Sequence, residues 1–444
     1  LKERILLKNG NLLDKTSGTI NTNVDVLIQD GVIKEVGKVE PVDEANLTQI
    51  DCSQKYVLPG LFDCHTHLSV LTNQDEETQK EILQECDIEK TNHAIELEEH
   101  VLKDFVAKGI TQVRDVGGPL NTLKSLKDKI SKGTYIGPDL FYAGPMLQGC
   151  SLTGDQMNKR WPGWNVAVNS EQDARNIVQR LSKEGANLVK AFRGFDPTVL
   201  KYLVDEAQKI NLPVTHDPGP TFFHTVPMDV GIELGVKCFE HGKTPWYVVL
   251  KDSLKSEHDS LINADPESKQ AFIARVMSAG AESISMTKLC QLVDMMIENN
   301  VWFCPTLHVF KFYSEKPEVF SEDEADKYGK IFERLYQVSR VITSEVAKRK
   351  VRILVGQDGY IPRFTLNEMQ LLKEIGLSES EIIKGATIYP AEWLGIADQL
   401  GSVSPDKKAS ILILNKNPLE GIQNIRTTHA VLRNGEIVFQ ELSS

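Results

Sequence analysis

Pro59-Gly60-Leu61-Phe62-Asp63-Cys64-His65-Thr66-His67-Leu68 decides how this 444-residue chain is read. A Pro-Gly turn leads into a short apolar run, and the run ends in two histidines two residues apart. Successive side chains of a β-strand point to opposite faces, so on a strand His65 and His67 share one face. At the C-terminal end of a strand in a parallel barrel, both imidazoles would face the mouth where active sites gather. Taken alone, a His-x-His pair is as readily two satisfied structural histidines, and the rest of the chain has to decide.

Downstream, strand-like and helix-like stretches alternate. Strand-type runs are read at Thr111–Gly118, Asp139–Gly144, Asn187–Phe192, Leu212–His216, Val236–His241, Val301–Thr306 and Arg352–Asp358. Helical stretches are read between them, among them 76–108, 119–132, 171–185, 197–210, 225–234, 266–299 and 321–349. Counted from the run before His65, eight strands alternate with helices, which predicts an α/β fold of the (β/α)8 TIM-barrel type over 59–399. Residues 1–58 look all-β, with Asn9-Gly10 and Asp30-Gly31 as hairpin-type turn pairs. The other end answers with an apolar run at Ala409–Leu414 and a strand, Asn434-Gly435 turn and strand over 429–438. The two ends, 1–58 and 400–444, are expected to build one small β-sandwich domain.

A net charge of −12 without a basic patch argues against a nucleic-acid partner and leaves a small-molecule substrate. Seven scattered cysteines form no disulfide framework, so a reducing, cytoplasmic setting is the expectation. The chain begins at Leu1, which keeps export with a removed leader as the alternative. No apolar run approaches the roughly 20 residues that span a bilayer, and no membrane partner is expected.

Lys190, His216 and His241 end three successive strand runs and lie 26 and 25 residues apart, each step close to one βα unit. They are therefore expected at matching positions around the mouth, with Asp358 at the end of the last strand. Neutral imidazoles and a carboxylate suit Zn²⁺ or a similar divalent ion. Lys190 is the odd member, because an ammonium is repelled by metal ions. An apolar strand end favours the neutral amine, which can add CO₂ to give an anionic carbamate able to bridge two metals. By itself, Lys190 reads more readily as a salt-bridged lysine, and within this constellation that reading is the weaker one. His93, His100, His224, His258 and His429 lack this phase and read as structural or solvated.

These residues together resemble the metal-dependent amidohydrolase superfamily, nearly end to end. The resemblance rests on His65-Thr66-His67, the Lys190 strand, Phe239-Glu240-His241-Gly242 and Gly356-Gln357-Asp358-Gly359. It also rests on Gly385-Ala386-Thr387-Ile388-Tyr389-Pro390-Ala391 and Gly401-Ser402-Val403. Val113-Arg114-Asp115-Val116-Gly117-Gly118 is similar to the branch holding imidazolonepropionase-like enzymes and Xaa-Pro dipeptidases (prolidases). The resemblance implies two divalent metal ions, one on His65, His67 and Asp358 and one on His216 and His241, bridged by carboxylated Lys190. It implies a hydrolase of amide-type C–N bonds, of a dipeptide, Xaa-Pro or N-acyl amino acid, with a metal-activated hydroxide as nucleophile. Asp358 would relay the proton to the leaving nitrogen as the catalytic acid-base.

For the substrate, Tyr142, Tyr247 and His308 are candidates by loop position, and Arg193, Arg114 or Arg363 could take a carboxylate. Arg114 more readily pairs locally with a carboxylate. The loop Trp161-Pro162-Gly163-Trp164 offers two aromatics to a pocket or to loop packing. Three substrate-side stretches depart from the dipeptidase pattern: Ala191-Phe192-Arg193-Gly194-Phe195 replaces Ser-Gly-Gly, Asp217-Pro218-Gly219-Pro220 replaces Ala-Tyr or Ala-His, and Gln148-Gly149-Cys150-Ser151 replaces Gly-Gly-His. A cyclic-amide hydrolase and a mononuclear deaminase are the alternative activities, with Lys190 counting against the second. A non-catalytic scaffold would have lost ligands that are all present here. A homo-oligomer is expected by analogy alone.

Overall fold

The computed structural model describes residues 4–14, 18–40, 46–72, 97–149, 158–159, 162–219, 223, 226–320 and 322–441. Helices and strands alternate through the middle of the chain, and strands from both ends share one sheet.

That sheet has eight strands. Arg4–Leu13 pairs antiparallel with Ile20–Gln29 and parallel with Leu47–Asp51 and Tyr56–Pro59. Ile411–Leu414 joins Tyr56–Pro59 on one side and Thr428–Arg433 on the other. Asp30-Gly31 and Asn434-Gly435 are two-residue turns with both residues at positive φ, as the sequence predicts. Asn9-Gly10 is different: it lies inside Arg4–Leu13, where the register shifts between Leu7 and Gly10. The extra residue makes a bulge, with Asn9 at φ 58°. Burial explains why the sheet holds: Ile5, Leu7, Val26, Ile28, Ile33, Ile411, Ile413 and Leu432 pack into one apolar cluster.

The second architecture is parallel. Leu61–Thr66, Ile110–Asp115 and Asp139–Tyr142 form one ladder. Met146–Gln148, Val189–Ala191, Val214–His216, Cys238–Glu240, Trp302–Cys304 and Arg352–Ile353 run in order through a second. Both seams are stitched. Asn187 N–H donates to the Tyr142 carbonyl, and the Cys64 and Asp358 N–H groups bond to the carbonyls of Val355 and His65. The parallel strands thus close into a ring with helices outside. At the closing seam, a Cβ on Gly356 would sit 2.7 Å from His65 N and 2.8 Å from Cys304 Sγ, so only glycine lets the last strand come this close.

The helices follow the sequence reading with two differences. Among the described residues, the 76–108 stretch holds the helix Leu97–Ala107; residues 73–96 lie outside them. The 266–299 stretch is broken into Pro266–Ala279, a 3₁₀ turn at Gly280–Ser283 and Met286–Glu298, with Gly280 at φ 51° stopping the first helix. No helix among the described residues is long and apolar enough to cross a membrane.

Candidate metal centre

Parallel pairing first corrects one expectation. Lys190 lies opposite Thr215, not His216, and His216 lies opposite Phe239, not His241. Strands in a closed ring are sheared, so residues that meet at the mouth climb along successive strands.

His65 and His67 end the first ring strand and both turn their Nε2 toward Asp358 Oδ1, at 3.3 Å each. Their other nitrogens are taken. His65 Nδ1 lies 2.8 Å from Glu240 Oε2, and His67 Nδ1 lies 2.9 Å from the Gly117 carbonyl. A histidine that donates through Nδ1 presents a lone pair at Nε2, the arrangement a metal ligand needs. His241 follows the strand Cys238–Glu240, and one ligand atom each from His65, His241 and Asp358 fall within 4.8 Å of one another. The backbone is bent to achieve this: His241 and Asp358 sit at φ 69° and 59°, and Thr306, whose Oγ1 lies 2.8 Å from His241 Nδ1, at 47°. A β-branched residue in the left-handed region is held there against its preference, a pattern that gathers at functional sites.

Charge is arranged for the same end. Burial alone would push the Asp358 carboxyl up, yet His65 and His241 hold it well below the usual range. Burial also acts most strongly on His67, but Asp358 and Asp115 outweigh it and raise that imidazole. Burial pushes His216 and His241 down to about 4, which keeps both rings neutral. His216 is buried, and its Nδ1, beside Gly231, has no hydrogen-bond partner among the described residues. Lys190 is 1% exposed, with its charge close enough to act on His216, Asp217, Glu240 and Lys243.

Beneath the histidines lies a buried polar plug that the motifs did not announce. Glu240 is fully buried, accepts from Arg114 Nη2 at 2.6 Å and from the Thr215 hydroxyl, and holds His65 through its second oxygen. Arg114 also donates to the Cys64 carbonyl and lies 4.7 Å from the Trp393 ring centre. Its carboxylate partner is thus not the expected local one but Glu240, 126 residues away in sequence. Asp115 accepts the Leu68 N–H at 2.6 Å and the Gly117 N–H at 3.2 Å, fixing the loop that holds His67; burial first of all pushes it up to about 6. The signal available for Glu240 was an acid inside an apolar strand run, a position that demands a partner.

The substrate candidates separate. Arg193 lies beside the site: its Nε is buried without a partner, its guanidinium stacks 4.5 Å over Phe192, and Gly219 leaves the space it fills. Tyr142 does not face the mouth. Its hydroxyl donates to the Glu184 carbonyl at 3.0 Å, because alternation along Asp139–Tyr142 turns it outward into the helical layer. Tyr247 is engaged by Lys255 and packs edge-on to His258, 4.6 Å away, in place of reaching the histidine cluster. His308 is drawn aside by Phe364, stacked at 4.3 Å, and by Asn367. It lines a cavity of about 390 Å³ between the helices Leu307–Glu315 and Pro362–Glu374, together with Arg363. Trp164 covers His67 with ring centres 5.5 Å apart; Trp161 lies outside the described residues, as do His93, His224, Cys86 and Cys150. His258 is a packing residue, stacked 4.5 Å from Phe223. The described cysteines are all free.

With this geometry in view, comparison with known proteins is specific. The Amidohydrolase family model matches residues 254–438. A dihydroorotase of Trichlorobacter lovleyi is 42% identical over 64 residues, 14% of this chain and 15% of that protein. A 5-methylthioadenosine/S-adenosylhomocysteine deaminase of Pyrococcus furiosus is 45% identical over 69 residues, 15% of each. The matched region thus spans about 15% of the length of these curated relatives. Among solved structures, a Xaa-Pro dipeptidase with bound methionine in the active site superposes with TM-score 0.70 at 20% identity, over 99% of this chain and 100% of that one. A prolidase complexed with N-methylphosphonate-L-proline gives 0.71 at 21%, over 99% and 100%. Ochratoxinase of A. niger gives 0.68 at 19%, over 99% and 96%. At such identities these three share the fold. Over residues 254–438 the chain is similar to the Amidohydrolase family, and over its whole length it shares the fold of these solved structures.

Proposed function

We propose that this protein is a metal-dependent hydrolase of amide-type C–N bonds, acting on a dipeptide, Xaa-Pro or N-acyl amino acid substrate. The observation that carries the reading is the convergence of His65 and His67 Nε2 on Asp358, with both Nδ1 atoms engaged from behind. That donor set fits a divalent ion such as Zn²⁺. His65, His67 and Asp358 would hold one ion, and His216 and His241 a second, with a carbamate on Lys190 between them. Bound there, such ions polarise a carbonyl and make water nucleophilic at neutral pH.

The chain's own residues supply the rest. Asp358, kept ionised by its histidines, is placed to accept a proton from the attacking water and return it to the leaving nitrogen. Trp164 and Phe192, packed with Met146, form an apolar wall beside His67 that limits water on that flank. Arg193 offers a cation to a substrate carboxylate.

Hydrolysis of a panel of Xaa-Pro dipeptides, N-acyl amino acids and cyclic amides, by wild type and Asp358→Asn, tests the reading. Turnover of the linear amides that falls at least a thousandfold in the variant supports it. The local matches to dihydroorotases keep a cyclic amide as the second reading, and turnover confined to cyclic amides would select it. Release of ammonia from a purine, with no amide cleaved, would replace both by deamination.

A further inference from the structure

Asp217 follows directly on the strand Val214–His216. Its side chain is 4% exposed, and its Oδ2 lies 3.2 Å from His241 Nε2. Its Oδ1 is used locally, accepting the Gly219 N–H at 2.8 Å, so Oδ2 is the free end that faces His241.

The spacing has a plain meaning. Two donors each about 2.1 Å from one tetrahedral ion stand about 3.4 Å apart. The His65–Asp358 and His67–Asp358 separations, both 3.3 Å, have this length, and so does His241–Asp217 at 3.2 Å. His241 Nδ1 is occupied by Thr306 Oγ1, which leaves Nε2, the atom facing Asp217, for coordination. A buried carboxylate beside an imidazole is a hard anionic donor.

We infer that Asp217 is a direct ligand of the second metal, sharing it with His241 and His216. The inference rests on the metal-centre reading of the previous subsection. An additional anionic ligand lowers the net charge of that ion's site and weakens its dependence on the Lys190 carbamate. Lys243, close to Asp217, balances the added charge.

Two measurements on the full chain decide it. Zinc bound per chain is titrated against a chelator for wild type, Asp217→Ala and Asp358→Ala. If Asp217 is a ligand, Asp217→Ala weakens one of two zinc ions by more than about a hundredfold, beyond the ten- to hundredfold expected for loss of an outer partner. The other ion, lost in Asp358→Ala, is retained. Two ions in Asp217→Ala with wild-type affinities overturn the proposal and leave the metal centre standing, whereas no zinc in wild type removes the metal-centre reading itself. The second measurement is the near-ultraviolet spectrum of cobalt-substituted Asp217→Cys against cobalt-substituted wild type, whose Cys304 lies near His65 and sets the baseline. A new thiolate-to-cobalt charge-transfer band places position 217 on the metal; a spectrum matching wild type makes Asp217 an orienting partner of His241 and overturns the inference.

Discussion

Glu240 does the most for the site without facing it. Its two oxygens tie His65, Arg114 and Thr215 together in a region with no exposure to water. Glu240→Gln is expected to loosen the His65 ring and lower metal affinity by about ten- to hundredfold, read by chelator competition. It also strands a buried guanidinium, at a cost of about 3–5 kcal/mol in unfolding free energy, read by denaturant titration. A variant that keeps wild-type stability would show that Arg114 finds another counter-charge. At this scale the sequence was a good guide to which strand-end side chains come together and a poor one to the direction in which loop side chains turn. His65, His67, His241 and Asp358 meet as their strand-end positions promised. Tyr142, Tyr247 and His308 do not, because being near a strand end leaves open which way a side chain turns. Tyr142 has the wrong parity, and His308 is captured by Phe364.

Among elements, the helix Leu307–Glu315 couples packing to the site. Its preceding residue, Thr306, holds His241, while its first N–H groups, on Leu307 and His308, donate to Glu368 at 2.9 and 2.7 Å. Burial, the dominant influence, pushes Glu368 up to about 8 from 4.5, with no cation to offset it. Between these values the folded chain keeps a proton that the unfolded chain has released, so this carboxyl makes stability fall as pH rises. Glu368→Gln removes that slope. Its melting temperature relative to wild type is expected to climb from about pH 5 to about pH 8.5 in scanning calorimetry, and a constant difference would contradict the assignment. Thr306→Val deletes the hydroxyl on His241 at nearly constant volume and is expected to reduce metal affinity while the fold persists by circular dichroism. The alternation of elements was readable from periodicity. The break at Gly280 and the bulge at Asn9-Gly10 were not, since Gly and Asn-Gly mark a change of direction without saying which kind.

For the whole molecule, the closed ring and the mixed sheet are joined by more than chain continuity. Arg433 donates to the Gly137 carbonyl at 2.5 Å and Asn434 to Asp139 at 3.1 Å, linking the last hairpin to the approach of the third ring strand. Removing residues 428–441 takes away this link and one neighbour of Ile411–Leu414. The shortened chain is expected to melt earlier and over a broader range, as seen by calorimetry, than the intact one. Similar strand runs at both ends made the shared sheet legible. Its continuity through Tyr56–Pro59 was not, because pairing partners such as Pro59 and Ile411, 352 residues apart, leave no local trace. The account as a whole stands on metal held by this ring. The most direct test is the metal content of protein purified with bicarbonate, measured by mass spectrometry beside Lys190→Ala. The account predicts about two divalent ions per chain, falling in the variant; a wild-type chain that carries none, even after incubation with zinc, would contradict it.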